Sequence, residues 1–305
     1  MNTLDKETIA DHFKSFQAQI YERIEGFEDN KSFIKDGWEK QNLGSGLSIV
    51  VDDGLVFNKA GINFSQIAGD SLPESSLGIL NESEKLPYFA TGVSVVFHPN
   101  NPNIPTAHLN VRYFCTTKDG EIHNHWFGGG FDLTPYILFE EDCYDWHKSA
   151  KNACDQTDPD FYKTFKKNCD EYFYIPHRNE HRGVGGIFYE KLEIPLDQGI
   201  QFSKDVCAAF IETYTKILEK RKDLNFTQRD VDFQKFRRGR YVEFNLIHDR
   251  GTLFGLQTSG RIESILMSLP KDVNWRYKFD DNLEEKEKNL YEHITKPKDL
   301  SLIHI

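Results

Sequence analysis

The amino-acid sequence predicts an α+β fold, in which helices pack on a large, mostly antiparallel sheet. Stretches with strand chemistry follow one another through short turn sequences, which is typical of hairpin-linked strands. Amphipathic helical stretches lie between groups of strands, and this combination favours an α+β fold. No Pro-rich or Gly-rich linker divides the 305 residues, so we expect one domain over 1–305.

The first half of the chain is predicted to form one helix followed by strands. Apolar residues recur at helical spacing near the start, and β-branched runs punctuated by glycine begin near residue 43. The predicted elements are a helix over about 4–27, within an N-terminal helical region 1–40; strands within 43–68; a loop from Gly69 to Lys85; strands over about 91–98 and 106–114, joined by PNNPNIP; and a strand ending in WFGGG.

The second half is predicted to contain most of the helices. Threonine or aspartate followed by proline is a common way to begin a helix, and it occurs twice. The predicted elements are a helix from Thr134-Pro135 to about Asp155; a helix of roughly 15 residues after Asp158-Pro159; a strand in HRGVGGIFYEKLEI; a long helix over 198–222; a β-hairpin in RRGRYVEFNLIHDRGTLFGL with its turn at 249–251; SGRIESILMSLP as either helix or strand; and a charged helix over 282–295.

Composition excludes several classes of protein. The 37 Lys and Arg against 48 Asp and Glu give a formal charge of −11, which argues against nucleic acid or anionic membrane as main partner. No stretch approaches the roughly 20 apolar residues of a membrane helix, and the first residues do not resemble a signal peptide. The five cysteines are widely spaced, with no CxxC pair, which suits reduced thiols. We therefore expect a cytoplasmic protein without an integral membrane segment.

The segment AHLNVRYF contains the most informative local pattern. Alternation along a strand puts His108, Asn110 and Arg112 on one face and the intervening apolar residues on the other. The preceding strand adds Ser94 and His98 by the same alternation. A hairpin would combine an acid/base group, an amide and a guanidinium on one surface. The alternative is a half-buried sheet with one solvated face.

Two further segments are candidates for function. Three glycines before Asp132 allow close approach of a ligand or another chain, or simply form a tight strand-to-helix turn. Five arginines fall within RRGRYVEFNLIHDRGTLFGLQTSGR, and guanidinium groups suit carboxylates. Surface salt bridges are the plainer interpretation of this cluster, and an RNA-binding patch is the weaker one.

The histidines show no HExxH spacing, and neither a nucleophile elbow nor a dinucleotide-binding fingerprint occurs.

Taken together, the segments resemble the oxygen-dependent coproporphyrinogen III oxidase family. The matching stretches, between about residues 40 and 275, are VFNKAGINFS, HPNNPNIPTAHLNVRYF, WFGGGFDLTPY, HRNEHRGVGGIFYE, RRGRYVEFNLIHDRGTLFGL and SGRIESILMSLP. The resemblance implies a sheet flanked by helices on both faces, one deep cleft, and a homodimer that uses about 240–280 for dimerisation and active site. This sequence differs from the family pattern in two places: the glycine run before the first strand is shortened to Gly44-Ser45-Gly46, and the SGR segment lacks a residue that some members have.

The resemblance also implies the reaction. Two propionates of coproporphyrinogen III, on rings A and B, are oxidatively decarboxylated to vinyl groups, giving protoporphyrinogen IX in haem biosynthesis. O₂ is the co-substrate, and no organic cofactor is needed. A divalent metal cation is assigned to some members and not to others. The alternatives from other classes are a non-catalytic tetrapyrrole-binding protein and a metal-dependent hydrolase.

Site residues follow from the resemblance by position. The catalytic residues are His108, Asp249, Arg250 and Asp132. The substrate contacts are Ser94, Asn110, Val111, Arg112, Ser259, Gly260 and Arg261. The metal ligands are His98, His108, His147 and His177. For His108 the proton-donor role is favoured, because a metal-bound nitrogen cannot also donate a proton. Although the chain is acidic, we expect a positively charged site, since His108, Arg112, Arg237, Arg238, Arg240, Arg250 and Arg261 lie in the matching segments.

Overall fold

Seven antiparallel strands form one sheet, in which the first six lie side by side in chain order and the last lies at the edge, beside the sixth. This architecture comes from a computed structural model that describes residues 6–29, 33–41, 43–71, 86–257 and 260–295. The strands are β1 (Phe33–Lys40), β2 (Gly44–Asp52), β3 (Phe57–Gly69), β4 (Tyr88–Pro99), β5 (Thr106–Lys118), β6 (Glu121–Thr134) and β9 (Gly185–Leu192); β7 (Tyr174–Ile175) and β8 (Glu180–His181) form a separate hairpin. The α+β fold with an antiparallel sheet is confirmed. Most of the predicted loop up to Lys85 lies outside the described residues.

Eight α-helices occur in the described part of the chain. They are α1 (Lys6–Ile24), α2 (Glu140–Asp155), α3 (Phe161–Tyr172), α4 (Leu196–Arg221), α5 (Gln228–Ile247), α6 (Arg250–Gln257), α7 (Ile262–Leu266) and α8 (Glu285–Thr295). The predicted helices near 4–27, 198–222 and 282–295 are therefore present. No helix among the described residues is long and apolar enough to cross a membrane.

One face of the sheet forms the hydrophobic core. The apolar residues that alternate with the polar row of β5, Ala107, Leu109, Val111 and Tyr113, are completely buried. Helix α1 packs on β3 and β4, and α4 packs on β5 and β6. The alternation predicted for β5 is confirmed, because burial of one face requires every second side chain to be apolar.

The opposite face of the sheet is partly covered by the C-terminal helices. The ring of Tyr241 in α5 lies edge-on to the ring of His98 on β4, with centroids 5.0 Å apart. Met267 lies so close to Gly61 on β3 that a β-carbon there would be 2.7 Å from its sulfur. Helices therefore flank both faces, and the polar row of β5 lies on the face beneath α5 and α7.

The predicted hairpin in RRGRYVEFNLIHDRGTLFGL is wrong. This segment forms the C-terminal half of α5 and most of α6. Helix α5 begins with a capping box between Thr227 and Asp230, and its buried side chains include Arg237 and Arg238. Because arginines occupy buried positions of this helix, its apolar residues do not recur every 3.6 residues. The aromatic residues and glycines of the segment are instead typical of strands.

Two predicted boundaries also differ. The helix expected from Thr134-Pro135 begins at Glu140, because Thr134 still pairs with Thr106 across β6 and β5. The N-terminal region 1–40 is helical only in its first part, since residues 33–40 form β1 at the edge of the sheet. The ambiguous segment SGRIESILMSLP contains a short helix, α7.

Candidate active site

A polar row crosses the sheet on the face beneath α5 and α7. The register places five side chains directly beside one another, one on each of β1 to β5: Asp36, Ser48, Asn63, Ser94 and Asn110. The predicted pairing of the two polar strand faces is therefore correct. Ser48 also bonds Ser264 of α7, with the two hydroxyl oxygens 2.9 Å apart. The row therefore lines this face of the sheet with side chains that can donate and accept hydrogen bonds.

His108 is held by a buried carboxylate on the neighbouring strand. It lies opposite Asp132 in the β5–β6 register, and its Nδ1 is 2.9 Å from Oδ1 of Asp132. The imidazole is 23% exposed, whereas the carboxylate is 2% exposed. Nδ1–H donates this hydrogen bond to the carboxylate. The neutral ring therefore presents a lone pair at Nε2, and the charged ring presents an N–H there. His108 can therefore take up or donate a proton at Nε2.

Arg182 supplies the charge that keeps Asp132 ionised. Its Nη2 and Nε lie 2.7 and 3.3 Å from the two carboxylate oxygens, and its Nη1 donates to Asn245 of α5 at 2.8 Å. Burial opposes ionisation of Asp132, but the charge of Arg182 and the hydrogen bond with His108 outweigh it and lower the pKa of the carboxyl group. The pair therefore stays charged although both side chains are buried.

Aromatic rings enclose the Arg182 guanidinium. Its Cζ lies 4.1 Å from the ring centroid of Phe173, 4.4 Å from that of Tyr241 and 4.8 Å from that of Phe244. Cation–π contacts are strongest where the cation is desolvated, as it is here. The rings and the carboxylate together fix the orientation of Asp132 and hence of His108.

Asp249 caps the N-terminus of α6 and faces the same region. Its Oδ2 accepts hydrogen bonds from the backbone N–H and the hydroxyl of Thr252 at 2.8 and 2.6 Å, and its Oδ1 accepts from the Tyr172 hydroxyl at 2.7 Å. Burial opposes ionisation, but these hydrogen bonds, and the positive charge of protonated His108, lower the pKa of Asp249 below its ordinary value. Asp249 is therefore a carboxylate at neutral pH.

The hydrogen bonds of Asp249 limit what else it can bind. A carboxylate offers about four lone-pair positions, two on each oxygen. Oδ2 has both of its positions occupied by Thr252, and Oδ1 has one occupied by Tyr172. One strong acceptor position remains, on Oδ1. Because burial and then the charge of Asp249 raise the pKa of Tyr172, its hydroxyl stays protonated and keeps donating.

Arg112 and Arg250 converge on one carboxylate, that of Glu190 in the C-terminal half of β9. Nη2 of Arg112 lies 3.1 Å from Oε1 of Glu190, and Nη2 of Arg250 lies 2.7 Å from Oε2. All three side chains are partly open to solvent. Two guanidinium groups that converge in this way are suited to bind a carboxylate, because each offers N–H donors in a planar fork.

The remaining predicted substrate contacts lie in different places. Arg261, just before α7, pairs with Asp36 at the far end of the polar row, and Gly260 precedes it. Val111 turns its side chain into the core on the opposite face, so only its backbone faces the neighbouring strands. Ser259 lies outside the described residues.

The glycine run lies inside β6 and forms no turn. A β-carbon on Gly128 would be 2.9 Å from Nε of Arg112, and one on Gly130 would be 2.0 Å from the backbone oxygen of Ile187. The first glycine therefore leaves room for a candidate binding side chain, and the third permits pairing with β9. Of the two interpretations of this glycine run, the tight strand-to-helix turn is wrong, because the run lies within β6.

The structure does not bring the four histidines together. Both ring nitrogens of His98 are bonded, to Thr106 and to the Ser268 carbonyl, and burial, with the nearby charge of Arg238, lowers the pKa of its ring. His147 bonds the Val184 carbonyl from α2. Among the described residues no group of three or more His, Cys, Asp or Glu side chains could hold a metal ion. The histidine set predicted as metal ligands therefore does not fit a shared ion in this arrangement.

His177, the fourth of these histidines, belongs to a separate cluster around Glu243. Its Nε2 lies 2.9 Å from Oε2 of Glu243, which also receives two bonds from Arg178. Burial opposes ionisation of Glu243, but the hydrogen bonds from Arg178 and His177 outweigh it and lower its pKa to about 2. This cluster ties the β7–β8 hairpin to α5.

Fewer arginines contribute positive charge to the site than the sequence predicted. Arg237 is buried against Glu180 at 2.7 Å, and Arg238 is buried with bonds to Asn58 and the Pro99 carbonyl. Arg240 pairs with Glu243 at 3.0 Å. Arg237 and Arg238 are buried and Arg240 is mostly buried, so the interpretation of the cluster as surface salt bridges is wrong for these three residues.

Sequence reasoning missed Arg182, Tyr172 and Glu190. Arg182 and Glu190 stand in the quoted segments HRGVGG and GGIFYE, but nothing in a linear pattern shows which partner each one meets. Tyr172 is the last residue of α3, and its ring stacks on that of Phe188, with centroids 4.1 Å apart. Its role follows only from the contact with Asp249.

The chain was compared with models of known protein families. The model described as coproporphyrinogen III oxidase matches residues 8–300. This range includes all the residues of the site described above. The chain belongs to the coproporphyrinogen III oxidase family.

Proposed function

From membership of this family and the geometry of its site, we propose that the chain is an oxygen-dependent coproporphyrinogen III oxidase. It converts the propionates of rings A and B to vinyl groups and yields protoporphyrinogen IX. The observation that carries the proposal is the convergence of His108, held by buried Asp132, and ionised Asp249 on one polar face that also presents Arg112 and Arg250.

Asp249 is proposed to hold the macrocycle. The four pyrrole N–H groups of the porphyrinogen point inward, and Asp249 keeps one strong acceptor position on Oδ1. Its lowered pKa makes it a weak base, so we assign it to accepting an N–H and stabilising the bound ring. This contact orients the electron-rich pyrrole for reaction with O₂.

Proton balance supports the role of His108. Each step converts a propionate carboxylate, O₂ and one proton into a vinyl group, CO₂ and hydrogen peroxide. The two electrons that leave the propionate side chain reduce O₂, so no organic cofactor is needed to accept them. His108 is the group positioned to supply the proton at Nε2, because the hydrogen bond between its Nδ1–H and Asp132 fixes the orientation of the ring.

Transfer of a pyrrole proton to Nε2 of neutral His108 is proposed to start the reaction with O₂. The resulting anion reduces O₂ to a bound peroxide, which removes a hydrogen from the neighbouring propionate as CO₂ leaves. His108 gives the pyrrole proton back when the pyrrole nitrogen is restored, and the proton that ends in hydrogen peroxide enters from solvent through Nε2. Arg112, Arg250 and Arg261 are proposed to bind propionates and to select the one that reacts. No step is assigned to a divalent metal, because the four histidines proposed as its ligands lie apart.

Oxygen dependence gives the direct test of the proposal. Purified protein is mixed with coproporphyrinogen III in air and under argon, and the products are oxidised to porphyrins and separated by chromatography with fluorescence detection. We expect protoporphyrin only in air, with about two molecules of CO₂ per product. Equal turnover under argon would refute the oxidase and favour a hydrolase, and binding without turnover in air would favour a carrier.

Asp249→Asn tests the proposed contact with the macrocycle. Asparagine caps helices as well as aspartate does, so α6 should keep its N-terminus. We expect a loss of turnover of at least about a hundredfold, because the charged acceptor is gone. Circular dichroism and thermal unfolding check that the fold is kept. Near-normal turnover by the folded variant would contradict the role of Asp249.

A homodimer is part of the proposal. Of the ten large apolar side chains that are exposed among the described residues, six lie within 240–280: Leu246, Ile247, Leu256, Ile262, Trp275 and Tyr277. Apolar residues that are concentrated in one segment favour a protein interface there. Light scattering after size exclusion should give twice the mass of 35.5 kDa, and the mass of one chain would contradict the dimer.

A further inference from the structure

Glu190 occupies the position in which a substrate carboxylate would be expected. Its two oxygens each receive one guanidinium, from Arg112 on β5 and from Arg250 on α6. The arginines come from elements that are distant along the chain, and the only group they share in the described structure is this carboxylate. The carboxylate of Glu190 is therefore bound in the way that a substrate propionate would be bound by the same two arginines.

Each arginine is also supported without Glu190. Arg112 donates to Asn110 at 3.2 Å and lies over the ring of Trp126. Arg250 lies over the ring of Tyr172, with Cζ 4.8 Å from the centroid. Since both guanidinium groups have independent support, Glu190 is not required to position them. Its main effect is to neutralise a positive charge that an anionic ligand would otherwise use.

We propose that Glu190 is an internal competitor that exchanges with a substrate propionate on Arg112 and Arg250. A propionate that binds takes over the two guanidinium groups, and Glu190 moves into solvent, to which it is already partly open. When that propionate leaves as CO₂, Glu190 returns to the arginines and prevents the product from being held by unpaired cations. This proposal rests on the proposed function, since it assumes a ligand with several carboxylates.

Glu190→Gln removes the competing charge while keeping the shape of the side chain. Two partly exposed ion pairs no longer have to be broken before a propionate binds, which corresponds to an affinity about fivefold tighter. The matched control is Glu193→Gln, which removes the same charge from an exposed residue three positions further along the chain. Glu190→Asp keeps the charge but is too short to reach both arginines, and we expect about half of the effect on the free energy of binding.

The probe is coproporphyrin III, the oxidised and unreactive tetracarboxylate, and its binding is followed by tryptophan fluorescence quenching in the dark. We expect a Kd about fivefold lower for Glu190→Gln, an unchanged Kd for Glu193→Gln, and a KM for coproporphyrinogen III that falls with Kd while kcat does not rise. An equal or higher Kd for folded Glu190→Gln would overturn the competitor role. Failure of the unmodified protein both to bind the probe and to turn over the substrate would instead refute the proposed function, and the competitor role with it.

Discussion

Arg182→Met is the most direct test of how the site is held together. The substitution keeps an unbranched side chain of similar length and removes the guanidinium that bonds Asp132 and Asn245. Asp132 then remains buried, with only His108 as a partner. The aromatic rings around position 182 can still pack against the methionine side chain, so the main change is electrostatic.

The expected effect is large because both charges are buried. Each side chain of the pair is 2% exposed. Removing one partner of a buried ion pair costs about 3–5 kcal/mol, because an uncompensated charge is left. A typical domain has a free energy of unfolding of about 5–15 kcal/mol. The control Arg276→Gln breaks a partly exposed pair with Asp232 and should cost no more than about 1 kcal/mol.

The loss should also depend on pH, with a sign set by Asp132. In the unmodified protein the pKa of Asp132 is lowered, so its contribution to stability is present above the unfolded value of about 3.9 and is lost as the pH falls through the lower folded value. Without Arg182, the cost of burying the charged carboxylate should outweigh the remaining hydrogen bond with His108, so we expect the pKa of Asp132 to be raised. The folded variant then binds a proton more tightly than the unfolded chain, so it should regain stability as the pH falls from 7 towards 5.

These effects are measured by urea unfolding at pH 7 and pH 5 of four proteins: the unmodified protein, Arg182→Met, Arg276→Gln and the double variant Arg182→Met/Asp132→Asn. We expect Arg182→Met to lose about 3–5 kcal/mol at pH 7 and clearly less at pH 5. The double variant with Asp132→Asn should be more stable than Arg182→Met alone at pH 7, because no unpaired charge remains. A loss below about 1 kcal/mol, or one that is the same at both pH values, would refute this account of the pair.

Two further predictions concern glycine and the Glu243 cluster. Gly128→Ala should raise KM about tenfold, because its β-carbon displaces the Arg112 side chain, and should cost little stability. Gly130→Ala should instead lower the urea concentration at the midpoint of unfolding, because its β-carbon meets a backbone carbonyl. Steady-state kinetics and urea midpoints distinguish the two, and equal behaviour would contradict the assignment. Glu243 stabilises the fold above pH 4.5 and loses that contribution as the pH falls through about 2, so Glu243→Gln should flatten the acid limb of stability between these values. An unchanged acid limb would contradict the lowered pKa.

The strands of the site were predictable because their signals are local. Alternation along AHLNVRYF identified which residues of β5 share a face, and the turn chemistry of PNNPNIP identified the hairpin that aligns Ser94 with Asn110. Both signals depend only on neighbouring residues. The resemblance to the family added Asp132 and Asp249 as candidate residues, and the structure gives both carboxyl groups hydrogen-bond partners that lower their pKa.

The predictions failed where buried polar side chains replaced apolar ones. Helix α5 was interpreted as a hairpin because its buried face includes Arg237 and Arg238, which are neutralised or bonded by residues far away in sequence. Asp249 was expected at a hairpin turn and instead caps α6, through Thr252 three residues later. A helix with charged residues on its buried face has no apolar period to recognise.

The sequence by itself determined the fold class, the polar face of β5 and the family, since each depends on short-range periodicity or on motifs read in order. The tertiary structure alone decided which charges are paired. Arg182 meets Asp132 across 50 residues, and Arg250 meets Glu190 across 60. Such contacts exist only once the sheet edge, α3 and α6 have packed together. Burial and the nearest opposite charge then set the protonation state of each group. No local pattern contains that information.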